Sequence, residues 1–209
     1  MKELITMFST PPLGVFEYDG DLEEVKDAAL QEKYVLYEKM GNPILQSLDT
    51  YSFNLPAFRK IKQFCSDSVH QYQEEVIGSE HPLEMQQSWI NLYNQNVSLS
   101  SHYHSNSFLS GIFFLTKGSP IAFYSDVCKT NYTMETYCPD PNRYLPSTNR
   151  SFTYPPRPGL LLVFSSQTPH AVLNQESEEQ RISVSFNMFP KLPYGDFRRF
   201  TRLGEPQAA

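Results

Sequence analysis

A chain of 209 residues, 40% hydrophobic and 19% charged, suffices for one substantial core and does not have the composition of a disordered protein. A formal net charge of -6 without a dense basic run argues against nucleic acid as an obligate partner. No run nears the roughly 18 apolar residues of a membrane span, and 15 Phe, 13 Tyr and 16 Pro favour β structure with long loops.

The opening Met1-Lys2-Glu3-Leu4-Ile5-Thr6-Met7-Phe8 is a poor secretory signal, having one basic residue and no extended apolar core. Residues 8–18 read as a Pro-punctuated strand. From Asp19 to about Lys39 the spacing of Leu22, Val25, Ala29, Tyr34 and Leu36 predicts a helix, with acidic residues in its first turn. A longer amphipathic helix follows from Asn54 to Ile77. Phe58, Ile61, Cys65, Val69, Tyr72 and Val76 lie on one face, Asn54 is the expected cap, and Pro56 sits in the first turn.

From Gln87 the period changes to two, with Trp89, Asn91 and Tyr93 on one face and Ile90 and Leu92 on the other. Further strands are expected through His102 and His104, then at 108–116, 121–125, 160–164 and 181–189. Short strands between Gly, Pro, Asn and Ser turns, without intervening helices, indicate an antiparallel sandwich or barrel. The stretch 126–158, rich in Tyr, Pro and Asn, reads as a long lid or binding loop. The whole is expected to be a single domain, 1–209. Residues 1–80 would be strand and helical support, and 85–190 the β core. The tail with Tyr194, Phe197, Arg198, Arg199 and Phe200 is expected to cover the barrel.

Cys65, Cys128 and Cys138 are an odd number without CxxC spacing, which argues against both a disulfide framework and a thiolate zinc site. A Cys128–Cys138 pair is the alternative to free thiols in a reducing cytoplasm, which are the expectation, and with them a cytoplasmic location.

Two imidazoles stand two residues apart at His102 and His104, and side chains at i and i+2 of an extended segment project to one side. His170 follows the apolar run Leu160-Leu161-Leu162-Val163-Phe164. Neutral imidazoles are common metal ligands, so these three residues form a candidate metal site, while His70 and His81 are read as ordinary polar residues. Eleven residues beyond His170, the segment 181–187 alternates Arg181, Ser183, Ser185 and Asn187 with Ile182, Val184 and Phe186. Its polar side is either a solvated sheet surface or, turned inward, a wall whose guanidinium fork would bind a carboxylate.

Ser88-Trp89-Ile90-Asn91, His102-Tyr103-His104, 107–115 (Ser-Phe-Leu-Ser-Gly-Ile-Phe-Phe-Leu), 158–166 with His170-Ala171-Val172, and 181–187 together resemble the iron(II)- and 2-oxoglutarate-dependent oxygenases. The likeness is to the branch with a His-x-His motif, which is prolyl-hydroxylase-like, and it spans roughly residues 87–190. It implies a mainly β fold with flanking helices, a double-stranded β-helix (jelly roll, cupin-like) carrying N-terminal helices on its outside. It also implies iron(II) and 2-oxoglutarate as cofactors, and hydroxylation of a peptide (prolyl) or small-molecule C–H bond. His102 and His170 would be metal ligands. Usual members keep a carboxylate at the third position, where this chain has His104. His104 is taken as the third ligand, the alternative being a water there with His104 behind it.

By the same resemblance Arg181 would bind the distal carboxylate of 2-oxoglutarate with Ser183 beside it, and Ser110 would line the cofactor pocket. Phe114 stands where related enzymes often have a tyrosine, so Tyr93 or Asn91 is expected to compensate. Trp89 is assigned to the core, and Tyr103 is expected to point away from the metal. A cupin-like barrel that binds another metal, or a carboxylate or sugar-acid ligand without oxygen chemistry, is the alternative reading. A peptide or small molecule is the expected partner, with the chain a monomer or homodimer.

Overall fold

Alternating apolar residues build two facing antiparallel sheets, and longer-period apolar residues place two helices behind one of them. The computed structural model describes residues 1–5, 12–37, 43–124 and 151–191. The larger sheet has, in hydrogen-bonded order, β1 (Glu3–Ile5), β2 (Leu13–Glu17), β10 (Leu160–Ser165), β7 (Leu109–Phe114), β12 (Arg181–Pro190), β5 (Leu83–Tyr93), β4 (Ile44–Ser47) and β3 (Tyr34–Tyr37). The smaller has β6 (Leu99–His102), β11 (His170–Val172), β8 (Ile121–Tyr124) and β9 (Ser151–Tyr154). This is the jelly roll that the sequence resemblance implies.

The larger sheet is buried on both faces, which is why its central strands are buried along nearly their whole length. One face meets α1 (Glu23–Gln31) and α2 (Arg59–Tyr72). There Phe113, Leu161, Val163, Ile90, Val184 and Phe186 pack with Val25, Ala29, Ile61, Cys65, Val69 and Tyr72. Each buried aliphatic or aromatic side chain contributes roughly 1.5–3 kcal/mol, so this layer anchors the helices firmly. The opposite face meets the smaller sheet through Ile112, Phe114, Leu162, Phe164, Tyr93, Ile121, Phe123 and Val172.

The polar alternation of β12 points into the space between the sheets, because Ile182, Val184 and Phe186 are taken by the helical layer. Arg181, Ser183, Ser185 and Asn187 therefore form an interior wall and not a solvated surface.

Several local expectations are corrected. The first helix ends at Gln31, since Glu32 already has extended backbone (φ -66°, ψ 160°). Tyr34 and Leu36 belong instead to the edge strand β3, paired with β4, and sheet pairing prevails over their helical spacing. The second helix begins at Arg59, after two 3-10 turns, Ser52–Asn54 and Pro56–Phe58, and it ends in a wider π turn at Gln73–Ile77. Asn54 does not cap it; its Oδ1 accepts from Lys62 Nζ at 2.7 Å. Strands β9 and β11 are short enough that apolar periodicity did not reveal them.

No helix among the described residues is long and apolar enough to cross a membrane. Cys128, Cys138, Arg143, Arg150, most of the 126–158 loop, the opening 8–11 and the tail from Tyr194 lie outside the described residues. Arg157 is described, and it forms an ion pair with Glu17, which also meets Lys2 at 2.5 Å.

Candidate metal centre

His102 closes β6 and His170 opens β11, and the two are register partners across that ladder. His104 lies two residues beyond the end of β6, in a turn whose Asn106 has positive φ (56°). That turn is pinned from outside: His104 N–H donates to Ser166 O at 2.9 Å, and Phe108 N–H to Met188 O at 2.9 Å. The strand alternation invoked from sequence therefore ends at His102, but the pinned turn still brings His104 to the same point.

The three rings are mutual neighbours, with centroids 4.4 Å (His102–His170), 5.0 Å (His104–His170) and 5.5 Å (His102–His104) apart. One ligand atom from each lies within 4.8 Å of the others. Every Nδ1 has an oxygen partner: Ser100 O at 2.9 Å for His102, Thr168 O at 2.9 Å for His170, and Ser110 Oγ and Asn187 Oδ1 for His104. A backbone carbonyl can only accept, so His102 and His170 carry their protons on Nδ1 and keep a lone pair on Nε2. Burial lowers all three pKa values, that of His104 to about 4 despite its hydrogen bond to Asn187, and that of His170 well below the ordinary imidazole value with help from its two neighbours. Three neutral imidazoles with free lone pairs at one point are a donor set suited to a divalent transition metal.

These residues open onto a cavity of about 320 Å³ between the sheets. Among the described residues, Arg181 is its one charged wall residue, the three imidazoles being neutral. Its guanidinium is buried, with Nη1 donating to Ser183 Oγ at 3.3 Å, while Nε and Nη2 find no acceptor. Tyr93 and Phe114 flank it, with ring centroids 4.6 and 5.2 Å from Cζ. Burial lowers the Arg181 pKa, an effect that the Tyr93 hydroxyl opposes. A buried cation with two unmet donors is costly, and a ligand carboxylate is the group that would satisfy both.

Ser183, Asn91 and Tyr93 all line this cavity. Asn91 is already engaged, accepting from Gln46 Nε2 at 3.0 Å and donating to Ser185 Oγ at 3.1 Å. Ser110 is not on the cavity wall. It is fully buried behind His104, with its hydroxyl held by His104, Asn187 and Ser166. Trp89 is corrected from core to cavity wall: it is half-buried, and its ring centroid stands 5.5 Å from that of His104. It shares the inward face of β5 with Asn91 and Tyr93, so the period that grouped them also takes it to the site. Tyr103 is exposed at the rim (59%). Sequence reasoning missed Asn187 and Ser166 as partners of the site. The signal for Asn187 was present, because alternation along β12 puts it on the face of Arg181.

Residues 87–187 match the profile of the family described as "Putative 2OG-Fe(II) oxygenase". No curated protein matches the chain. Among solved structures, an oxidoreductase of the 2OG-Fe(II) oxygenase family from Burkholderia pseudomallei is similar, with 12% identity, 84% of this chain and 85% of the other covered, and a TM-score of 0.59. HygX from Streptomyces hygroscopicus, solved with nickel and 2-oxoglutarate, gives 13%, 88%, 84% and 0.57. A Pseudomonas putida prolyl-4-hydroxylase gives 12%, 88%, 94% and 0.56. At such identities these structures speak for the fold, whereas the profile match spans all three histidines and Arg181. On that match, the segment 87–187, which carries all four residues, is similar throughout to the iron(II)- and 2-oxoglutarate-dependent oxygenases.

Proposed function

We propose that the chain is a hydroxylase that oxidises a C–H bond of a peptide (prolyl) side chain or of a small molecule, with iron(II) held by His102, His104 and His170. The observation that carries this reading is the pairing, in one cavity, of three converging imidazoles with a buried guanidinium that has two unmet donors. The first fits a divalent metal and the second a carboxylate, which are the two features of a metal-bound oxo-diacid. When bound, iron(II) with 2-oxoglutarate supplies O₂ activation coupled to decarboxylation of the oxo acid to succinate and CO₂.

The protein's own residues bind, orient and exclude water. Arg181 holds the far carboxylate, with Ser183 fixing its Nη1. Tyr93 and Phe114 pack against the guanidinium and keep water away from it. Phe164 and Phe123, with ring centroids 4.8 and 6.2 Å from that of His170, shield that ligand from the protein side. Tyr93 and Asn91 take the remaining cofactor-facing positions. Trp89, Gln87 and Tyr103 line the cavity near the histidines and would receive the substrate. A prolyl-4-hydroxylase among the similar structures supports the peptide branch, and HygX, solved also with hygromycin B, the small-molecule branch.

Anaerobic addition of iron(II) and 2-oxoglutarate is expected to give a weak visible charge-transfer band that is absent in His102→Ala and His170→Ala. In air, succinate should then form from 2-oxoglutarate. A wild-type protein with neither signal would overturn the proposal.

A further inference from the structure

The three histidines are held by two different means. His102 and His170 each use the carbonyl two residues earlier in their own chain segment, Ser100 O and Thr168 O. His104 has no such local partner. Its Nδ1 meets Asn187 Oδ1 of β12 at 2.7 Å and Ser110 Oγ of β7 at 2.8 Å.

The Asn187 carbonyl oxygen can only accept, whereas the Ser110 hydroxyl accepts only if its own hydrogen is committed elsewhere, and the surroundings impose that. Ser107 Oγ donates to Leu109 O at 3.1 Å and Met188 O at 3.3 Å, carbonyl oxygens with nothing to give back. Ser107 must therefore accept from Ser166 Oγ, at 2.7 Å. With its proton so placed, Ser166 can only accept from Ser110, at 2.8 Å. Asn187 Oδ1, at 2.9 Å, and the His104 ring are the other acceptors within reach, but the 2.8 Å contact with Ser166 needs a hydrogen that only Ser110 can supply. With that proton given to Ser166, Ser110 presents lone pairs to His104. Asn187 is oriented by its own amide, whose Nδ2 donates to Gln87 Oε1 at 3.3 Å, so that Oδ1 faces the ring. Ser110 and Ser166 are fully buried, where an unmet hydroxyl would be costly and the direction of the chain is enforced.

We propose that Asn187 and the hydroxyl chain Ser110–Ser166–Ser107 are a positioning device that holds His104 in the Nδ1–H tautomer, with the Nε2 lone pair facing His102 and His170. This rests on the reading of His104 as a metal ligand. Ser110 and Asn187 are positioning residues acting through His104. Their effect is selective, since the tautomers of His102 and His170 are set by their own backbone.

The test uses the metal-free, full-length protein labelled with ¹⁵N-histidine. Long-range ¹H–¹⁵N correlations should show the His104 proton on Nδ1 in the wild type. In Ser110→Ala/Asn187→Leu, His104 should mix tautomers while His102 and His170 keep theirs, and cobalt(II) affinity should fall about 10- to 100-fold. Ser110→Ala/Asn187→Asp, which restores an acceptor, should recover both the tautomer and most of the affinity. A wild-type His104 protonated on Nε2 overturns the proposal, and this readout needs no variant to fold. So does a folded Ser110→Ala/Asn187→Leu variant with unchanged tautomer and cobalt affinity. Full cobalt affinity in His104→Ala would overturn the ligand reading on its own, separately from the tautomer result.

Discussion

His102 and His170 face each other as register partners on β6 and β11, with ring centroids 4.4 Å apart. Two proposed ligands on adjacent antiparallel strands are held by the sheet's own hydrogen bonds, so neither ring needs a metal contact to stay in place. Replacing either by Ala removes a metal-facing lone pair without breaking a backbone bond. His102→Ala and His170→Ala should each stay folded and lose metal affinity by more than about 100-fold, beyond what outer partners of a ligand typically cost. Titration with cobalt(II), read by its visible absorption, measures the loss.

Arg181 is buried with Nε and Nη2 unmet, so its removal affects the oxo-diacid more than the metal. Arg181→Lys keeps a charge but loses the planar fork. The expected outcome is a roughly 10- to 100-fold higher 2-oxoglutarate concentration for half-maximal succinate formation, matching the loss of a charge-assisted hydrogen bond. Cobalt affinity without 2-oxoglutarate should be unchanged, which separates the two halves of the site.

Trp89 is the chain's one tryptophan, and its ring centroid is 5.5 Å from that of His104. Its fluorescence should therefore report on the site directly. Paramagnetic cobalt(II) is expected to quench the emission in proportion to site occupancy, and His102→Ala should abolish the quenching. Unquenched emission at saturating cobalt would show that the ion binds elsewhere.

Gly111 is the register partner of Phe186 on β12, and the Phe186 ring lies over it where a Cβ would stand. The glycine in the Ser-Gly segment of β7 thus serves sheet packing. Gly111→Val should destabilise the fold by about 1–3 kcal/mol, the usual cost of overpacking, as read by a lower urea midpoint. Gly111→Val/Phe186→Ala should recover part of that loss.

Burial raises the pKa of Tyr93 to about 12, and those of Tyr72 and Tyr34 further still. The unfolded chain releases these phenol protons near pH 10, whereas the native state retains them. The unfolded state then binds fewer protons, so stability falls as pH rises above about 10 and the contribution is fully present below it. Urea midpoints should be flat with respect to these groups up to pH 10 and decline above it. In the folded protein, phenolate absorbance should leave these tyrosines protonated at pH 11.

Much of the architecture was legible because it rests on local repetition. The period-two runs of 87–93 and 181–189 and the continuous apolar run 160–164 gave central strands, and the 3–4 spacing from Phe58 to Tyr72 gave the long helix. The two sides of β12 were also legible as sides, but which of them faced inward was not, since either is consistent with the same alternation. The helical layer decided it, by taking Ile182, Val184 and Phe186 and leaving Arg181 and Asn187 for the cavity. The same ambiguity put Trp89 in the core, although its period partners Asn91 and Tyr93 were read as facing the cofactor.

What the sequence determined by itself was the set of residue types and their local phase: His102 and His104 two apart, His170 after an apolar run, Arg181 at the head of an alternating strand. Only the tertiary structure decided how they meet. His104 lies outside any strand, and its position follows from Ser166, Ser110 and Asn187, which approach from segments 62, 6 and 83 residues away in the chain. Short-range periodicity carries no information about such long-range hydrogen bonds. They form only after β7, β12 and the turn after β10 have packed, and on that packing the third imidazole depends.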